Sequence, residues 1–147
     1  MNKNMITEDY VSFETAKLLK EKGFPQNPYI CNTAYTLRGK FSNNAKSFVH
    51  NFAEFDKCGI KPLTYSMAPT LQMALKWLRE VHNLWIALLK DADYGWKYKP
   101  QSMTVLREER FDCSPFTGYY STYEQACEAA IKYCLENLIT PSLVPEQ

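Results

Sequence analysis

The sequence predicts an α+β fold: an antiparallel sheet with helices packed on one face. Apolar residues recur at helical spacing in three segments that carry start and stop signals. Between the second and third of these the period changes to two. Composition agrees with a folded chain, since 46% of the 147 residues are hydrophobic and 22% are charged, close to the usual soluble mix. Such a length is one domain's worth and buries about two-thirds of its unfolded surface, so no disulfide or metal staple is required.

The first helix is expected from about Phe13 to Lys22. Ser12 can cap it, Glu14 lies in the first turn, and Lys20 and Lys22 lie in the last turn, where the helix dipole favours cations. Gly23 suits the left-handed position beyond the end. Phe24 can then fold back on Leu19, the apolar contact of a Schellman stop, and Pro25 forbids continuation. Short strands are expected within Tyr29–Leu37 and Lys61–Ser66. Residues 42–57 are rich in Asn and Lys with scattered Phe, and read as a long loop or an irregular hairpin.

The second helix is expected from Leu71 to His82, with Thr70 as cap and Asn83 terminating it in the left-handed region. Leu71, Ala74, Leu75, Leu78, Val81 and His82 form its apolar stripe, with Gln72, Lys76, Arg79 and Glu80 on the wet side. The apolar run Leu84–Leu89 then reads as a buried strand and Asp91–Gly95 as a turn. Trp96, Lys97, Tyr98 and Lys99 alternate aromatic with cation, as on a one-sided antiparallel sheet. Residues 103–108 or 116–120 supply a third strand.

Ser121-Thr-Tyr-Glu124 is a capping box for the third helix. Tyr123, Ala126, Cys127, Ala130, Ile131, Cys134, Leu135 and Leu138 follow at steps of three and one, and Glu128 and Lys132 form an i,i+4 pair. Pro141 and Pro145 end regular structure. A single domain over residues 1–140 and a loose tail over 141–147 are expected.

The N-terminus, MNKNMITEDYV, lacks the apolar run of a secretory signal. The longest apolar stretch, Leu84–Leu89, is far short of the roughly 20 residues that cross a bilayer. A cytoplasmic protein with no membrane contact is expected. The five cysteines (Cys31, Cys58, Cys113, Cys127 and Cys134) form no C-x-x-C pair, and neither His50 nor His82 lies near one. They read as reduced, buried thiols, with no metal site. The five glycines are single, so no phosphate loop is present and no cofactor is expected.

Two resemblances add to this. Ala68-Pro-Thr70, then Ala74-Leu-Lys-Trp-Leu-Arg-Glu-Val-His82, a Trp-containing hairpin and Tyr123-Glu-Gln-Ala-Cys-Glu-Ala-Ala-Ile131 resemble a family of small uncharacterised proteins of bacteriophages, prophages and mobile elements of anaerobic bacteria. Ala16-Lys-Leu-Leu-Lys-Glu-Lys-Gly-Phe24 fits that family's first helix, and the match spans about residues 11 to 139. It implies a phage-type accessory protein and no particular chemistry, because the shared residues pack and cap. The helix–strands–helix order of residues 70–138 is similar to a double-stranded-RNA-binding domain, with Ala126–Leu138 like that domain's final helix. Its phosphate-holding lysines are replaced here by Tyr123, Glu124 and Cys127. The helix also carries Glu124, Glu128 and Glu136 against Lys132 alone, so this face should repel RNA.

Three function classes bear on this sequence. Catalysis would pair Cys113 or Ser114 with His82 or His50, but no spacing joins them, and His82 falls on the packed stripe. The acid pairs Glu108–Glu109 and Asp91/Asp93 read as solvated charges. The chain is therefore expected not to be an enzyme, with a small Cys/His enzyme as an alternative. Nucleic-acid binding is also an alternative, but one that charge does not favour. Residues 1–66 hold nine Lys/Arg against six Asp/Glu, residues 67–147 hold eight against ten, and the total is +1. The expected class is a non-catalytic protein-interaction module. Trp96 and Tyr98 are expected beneath the helices. Met73 and Trp77 lie off the stripe and form a second apolar edge for a partner protein or a second copy, or cover residues 42–57. With Tyr119 and Tyr120 they make the expected partner surface.

Overall fold

The computed structural model describes residues 5–46, 65–102 and 117–139. These contain α1 (Phe13–Glu21), β1 (Ala34–Thr36), β2 (Phe41–Ser42), β3 (Tyr65–Met67), α2 (Leu71–His82), β4 (Leu84–Asp91), β5 (Gly95–Ser102), β6 (Thr117–Tyr120) and α3 (Tyr123–Asn137). The class is α+β, as expected. The single sheet is corrected to two three-stranded antiparallel sheets, β2-β1-β3 and β4-β5-β6. β3 goes back to β1 before α2 begins, and β4 meets β5 across a tight turn. The chain divides into two compact units. One holds residues 12–69 and 131–147, and the other residues 1–11 and 70–130.

In the unit of the first sheet, Ser12 caps α1 through a bond from the Thr15 N–H. The stop is the Schellman arrangement. The Phe24 N–H donates to the Leu19 carbonyl at 2.8 Å, the Gly23 N–H donates to Lys20 at 3.3 Å, and Gly23 has φ +97°. Phe24 and Leu19 are both buried. α1 lies against β1 and β3. Side chains complete what these short strands leave open. Lys20 Nζ donates to the Tyr65 carbonyl at 2.7 Å, and the Gln26 amide oxygen accepts from the Met67 N–H at 2.9 Å. Thr33 exchanges a hydroxyl and a backbone bond with Ala68. Of residues 42–57, Ser42 pairs in β2, and the residues from 47 on lie outside the described residues.

In the unit of the second sheet, Thr70 caps α2 through the Met73 N–H at 3.1 Å, and Asn83 ends it in the left-handed region at φ 54°. The stripe is corrected. Leu71, Ala74, Trp77 and Leu78 are buried, whereas Val81 is 59% exposed. Residues 117–120 supply the third strand as β6, while 103–108 lie outside the described residues. β4 is a strand but not a buried one, since Leu84 alone of its residues is fully buried.

α3 starts one residue later than the capping box implied. Its cap is Thr122, whose hydroxyl accepts from the Gln125 N–H at 3.1 Å. Of the stripe read from the sequence, Ala126, Cys127, Ala130, Ile131, Cys134 and Leu135 are fully buried, while Tyr123 and Leu138 at its ends are half-buried. Lys132 Nζ lies 3.0 Å from Glu14 Oε2.

Candidate binding face of the second sheet

The β4–β5 ladder pairs Trp85 with Gln101, Ala87 with Lys99 and Leu89 with Lys97. Successive side chains in a strand point to opposite faces, so these six share one face. Ile86, Leu88, Tyr98 and Pro100 take the other, where Tyr98 and Pro100 are buried. Tyr120 pairs with Trp96 and belongs to that inner face, which sets its neighbour Tyr119 on the outer one. Trp96 meets the Tyr123 ring edge-on at 5.1 Å, beneath α3 as expected.

The outer face is open. Trp85 is 43% exposed, Leu89 47% and Tyr119 52%. The Arg79 guanidinium lies 5.1 Å from the Trp85 ring centre, a cation–π contact reaching over from α2. Tyr94, in the turn, packs on Tyr119 at 5.2 Å. Lys97 and Lys99, both half-buried, occupy the central strand between the Trp85–Leu89 row and Tyr119. Asp91 closes the row at the turn, where its carboxylate accepts from the Asp93 N–H at 3.0 Å.

Of the expected surface residues, only Tyr119 lies on this face. Tyr120 is half-buried and packs on Tyr98 at 6.0 Å. Met73 is half-buried in α2. Trp77 is corrected: it is 8% exposed, with its ring edge-on to His82 at 4.5 Å, so it presents no edge to a partner. Trp85 and Arg79 were missed. Trp85 stands in an unbroken apolar run, which carries no sign of which alternate side chains meet water.

The reactive groups are dispersed. His50, Cys58, Glu108, Glu109, Cys113 and Ser114 lie outside the described residues. His82 Nε2 is buried with no hydrogen-bond partner among the described residues, and burial lowers its pKa. Cys31, Cys127 and Cys134 are buried thiols in no disulfide. Burial pushes the Cys127 thiol up to about 11, which disfavours the thiolate that nucleophilic chemistry needs. Among the described residues no group of three or more His, Cys, Asp or Glu could hold a metal. No helix among them is long and apolar enough to cross a membrane.

One cavity of about 730 Å³ lies in the unit of the first sheet, along α1. Lys17, Lys20 and Lys132 face Glu14, Glu21 and Glu136 there. Lys132 is committed to Glu14 and Lys20 to the Tyr65 carbonyl, so the lining is balanced in sign and partly self-paired.

The fold and this face define a small α+β protein with a mixed aromatic and cationic sheet surface. No protein-family model, curated protein or solved structure matches the chain.

Proposed function

We propose that this chain is a non-catalytic accessory protein that binds another protein through the outer face of β4-β5-β6. One observation carries the reading: Trp85 with Arg79 over its ring, Leu89 and Tyr119 stand exposed on one regular sheet. Trp, Tyr and Arg are enriched among the few residues that carry most of the binding energy at protein interfaces, and a paired sheet holds them in fixed geometry. The resemblance to small phage and mobile-element proteins suits such an accessory role. A cytoplasmic setting suits the buried thiols Cys31, Cys127 and Cys134.

The test compares affinity capture from the native host by the wild-type chain, a Trp85→Ala/Tyr119→Ala variant, and a Phe41→Ala control. Phe41 is 40% exposed but belongs to the first sheet. A protein recovered by wild type and control and lost with the double variant supports the reading. Equal recovery by all three contradicts it, as does turnover of a substrate by the purified chain.

A further inference from the structure

The edge of the second sheet is a different surface from its outer face. We infer that β4 pairs edge to edge with β4 of a second copy of this chain, antiparallel about a two-fold axis at Ala87. The two three-stranded sheets then become one sheet of six strands.

The first argument is that, of the described sheet edges, β4 is the one left bare. Proteins blunt sheet edges with short strands, prolines, bulges or charged side chains. In the first sheet β2 has two residues, and the edge strand β3 carries Lys20 on its Tyr65 carbonyl and Gln26 on its Met67 N–H. On the far side of the second sheet, β6 has four residues and a register shift. β4 runs eight residues, LWIALLKD, in unbroken register with β5 and with no proline. Its one cation, Lys90, lies over the Trp96 ring of its own sheet at 6.0 Å. Among the described residues no strand pairs with the outer side of β4. From Trp85 to Asp91 every residue is half-buried or exposed.

The second argument fixes which backbone groups point out. Pro100 stands opposite Ile86. A proline has no N–H to give to a ladder, so this is a pair that exchanges no hydrogen bond. Such pairs alternate with bonded ones along an antiparallel ladder. Leu84, Ile86, Leu88 and Lys90 therefore turn their N–H and C=O groups away from β5, toward the open edge.

The third argument is self-complementarity, which favours a second copy over a foreign strand. An antiparallel two-fold pairing keeps both outer faces on one side. About Ala87, Leu84 meets Lys90 and Ile86 meets Leu88, so the outward groups of each copy satisfy those of the other. On the outer face Trp85 meets Leu89, both exposed apolar side chains. Asp91 of each copy falls diagonally from Trp85 of the other, whose ring carries Arg79. Asp91 accepts from the Asp93 N–H through Oδ1, which leaves Oδ2 to face that guanidinium. Opposite charges thus come together at both ends of the pairing, and small Ala87 meets itself at the axis.

The test is the mass of the full chain by sedimentation velocity, over a range of concentrations reaching the high micromolar. Wild type is expected to pass from one chain mass to two as concentration rises. Ala87→Glu sets a carboxylate against its own counterpart at the axis and is expected to weaken association at least tenfold. Ala87→Cys is expected to form a disulfide-linked dimer under mild oxidation, because facing Cα atoms in a pair without hydrogen bonds stand roughly 4.5 Å apart, within disulfide reach. Tyr119→Cys, two strands away on β6, is expected to cross-link no more than wild type. Circular dichroism checks that each variant is folded. A wild type that stays a single chain throughout, Ala87→Glu that associates as wild type does, or Ala87→Cys that cross-links no faster than Tyr119→Cys overturns the inference. So does a host protein captured by a single-chain wild type and lost with Ala87→Glu, the mark of a foreign strand on this edge. Tyr119→Ala is expected to leave the dimer intact, and equal host capture by that variant counts against the partner face alone.

Discussion

The two sheets solve the same problem in opposite ways. Strands of the first are three, two and three residues long. So short a ladder satisfies few backbone groups, and side chains from outside finish the work. Lys20 reaches the Tyr65 carbonyl, Gln26 accepts from Met67, and Thr33 clasps Ala68. Two strands of the second sheet run eight residues each and pair along their whole length. That ladder closes its own hydrogen bonds and packs on one side, through Tyr98 and Pro100. In the first sheet, side chains near the strands are tied to the backbone. In the second, Trp85, Leu89 and Tyr119 stand exposed on the face away from the packed side.

If this contrast is correct, substitutions should separate into two classes. The largest effect is expected at Leu19, fully buried and part of the α1 stop against Phe24. Leu19→Ala should cost about 3 kcal/mol of stability, the usual loss when a packed leucine leaves a cavity, as read by urea denaturation. A loss under about 1 kcal/mol would mean that the site collapses or is already loose.

Next comes Gly95, which closes the β4–β5 turn at φ +107°. A Cβ there would stand 2.5 Å from the Tyr120 carbonyl oxygen on β6. Gly95→Ala should therefore cost about 2 kcal/mol, from left-handed strain and this clash, and it should weaken binding as well as stability. An unchanged unfolding midpoint would show that β6 can move away from the turn.

The smallest effect concerns His82. Burial lowers its pKa, so the folded chain keeps the imidazole neutral at a pH where the unfolded chain already takes up a proton. Its contribution is complete above the ordinary histidine range and is lost as pH falls through it. Between pH 7 and pH 5 the wild type should lose slightly more stability than His82→Gln. Parallel curves would show that the ring is solvated.

Local signals in the sequence fared best. Ser12, Gly23 with Phe24, Thr70 and Asn83 act where they were read, because a cap depends on its own few neighbours. Thr122 displaced Ser121 because adjacent hydroxyls are equivalent until the backbone chooses its first helical residue. Trp77 was misplaced for a different reason. A stripe extended to Val81 puts the indole off its line, yet α2 ends at once after His82, Val81 faces solvent, and Trp77 turns inward beside the imidazole. The split into two sheets depends on pairings between distant strands, to which no window of sequence is sensitive. The outer face shares that difficulty, since Leu84–Leu89 is apolar on both of its alternating sides.

The most direct measurement combines urea unfolding with host capture on the Trp85→Ala/Tyr119→Ala variant, beside Leu19→Ala. The double variant should unfold within about 1 kcal/mol of wild type, as exposed substitutions do, while capture of the host protein is lost. An unfolding midpoint that drops as far as that of Leu19→Ala, or undiminished host capture, would contradict the reading of the outer face as a partner surface.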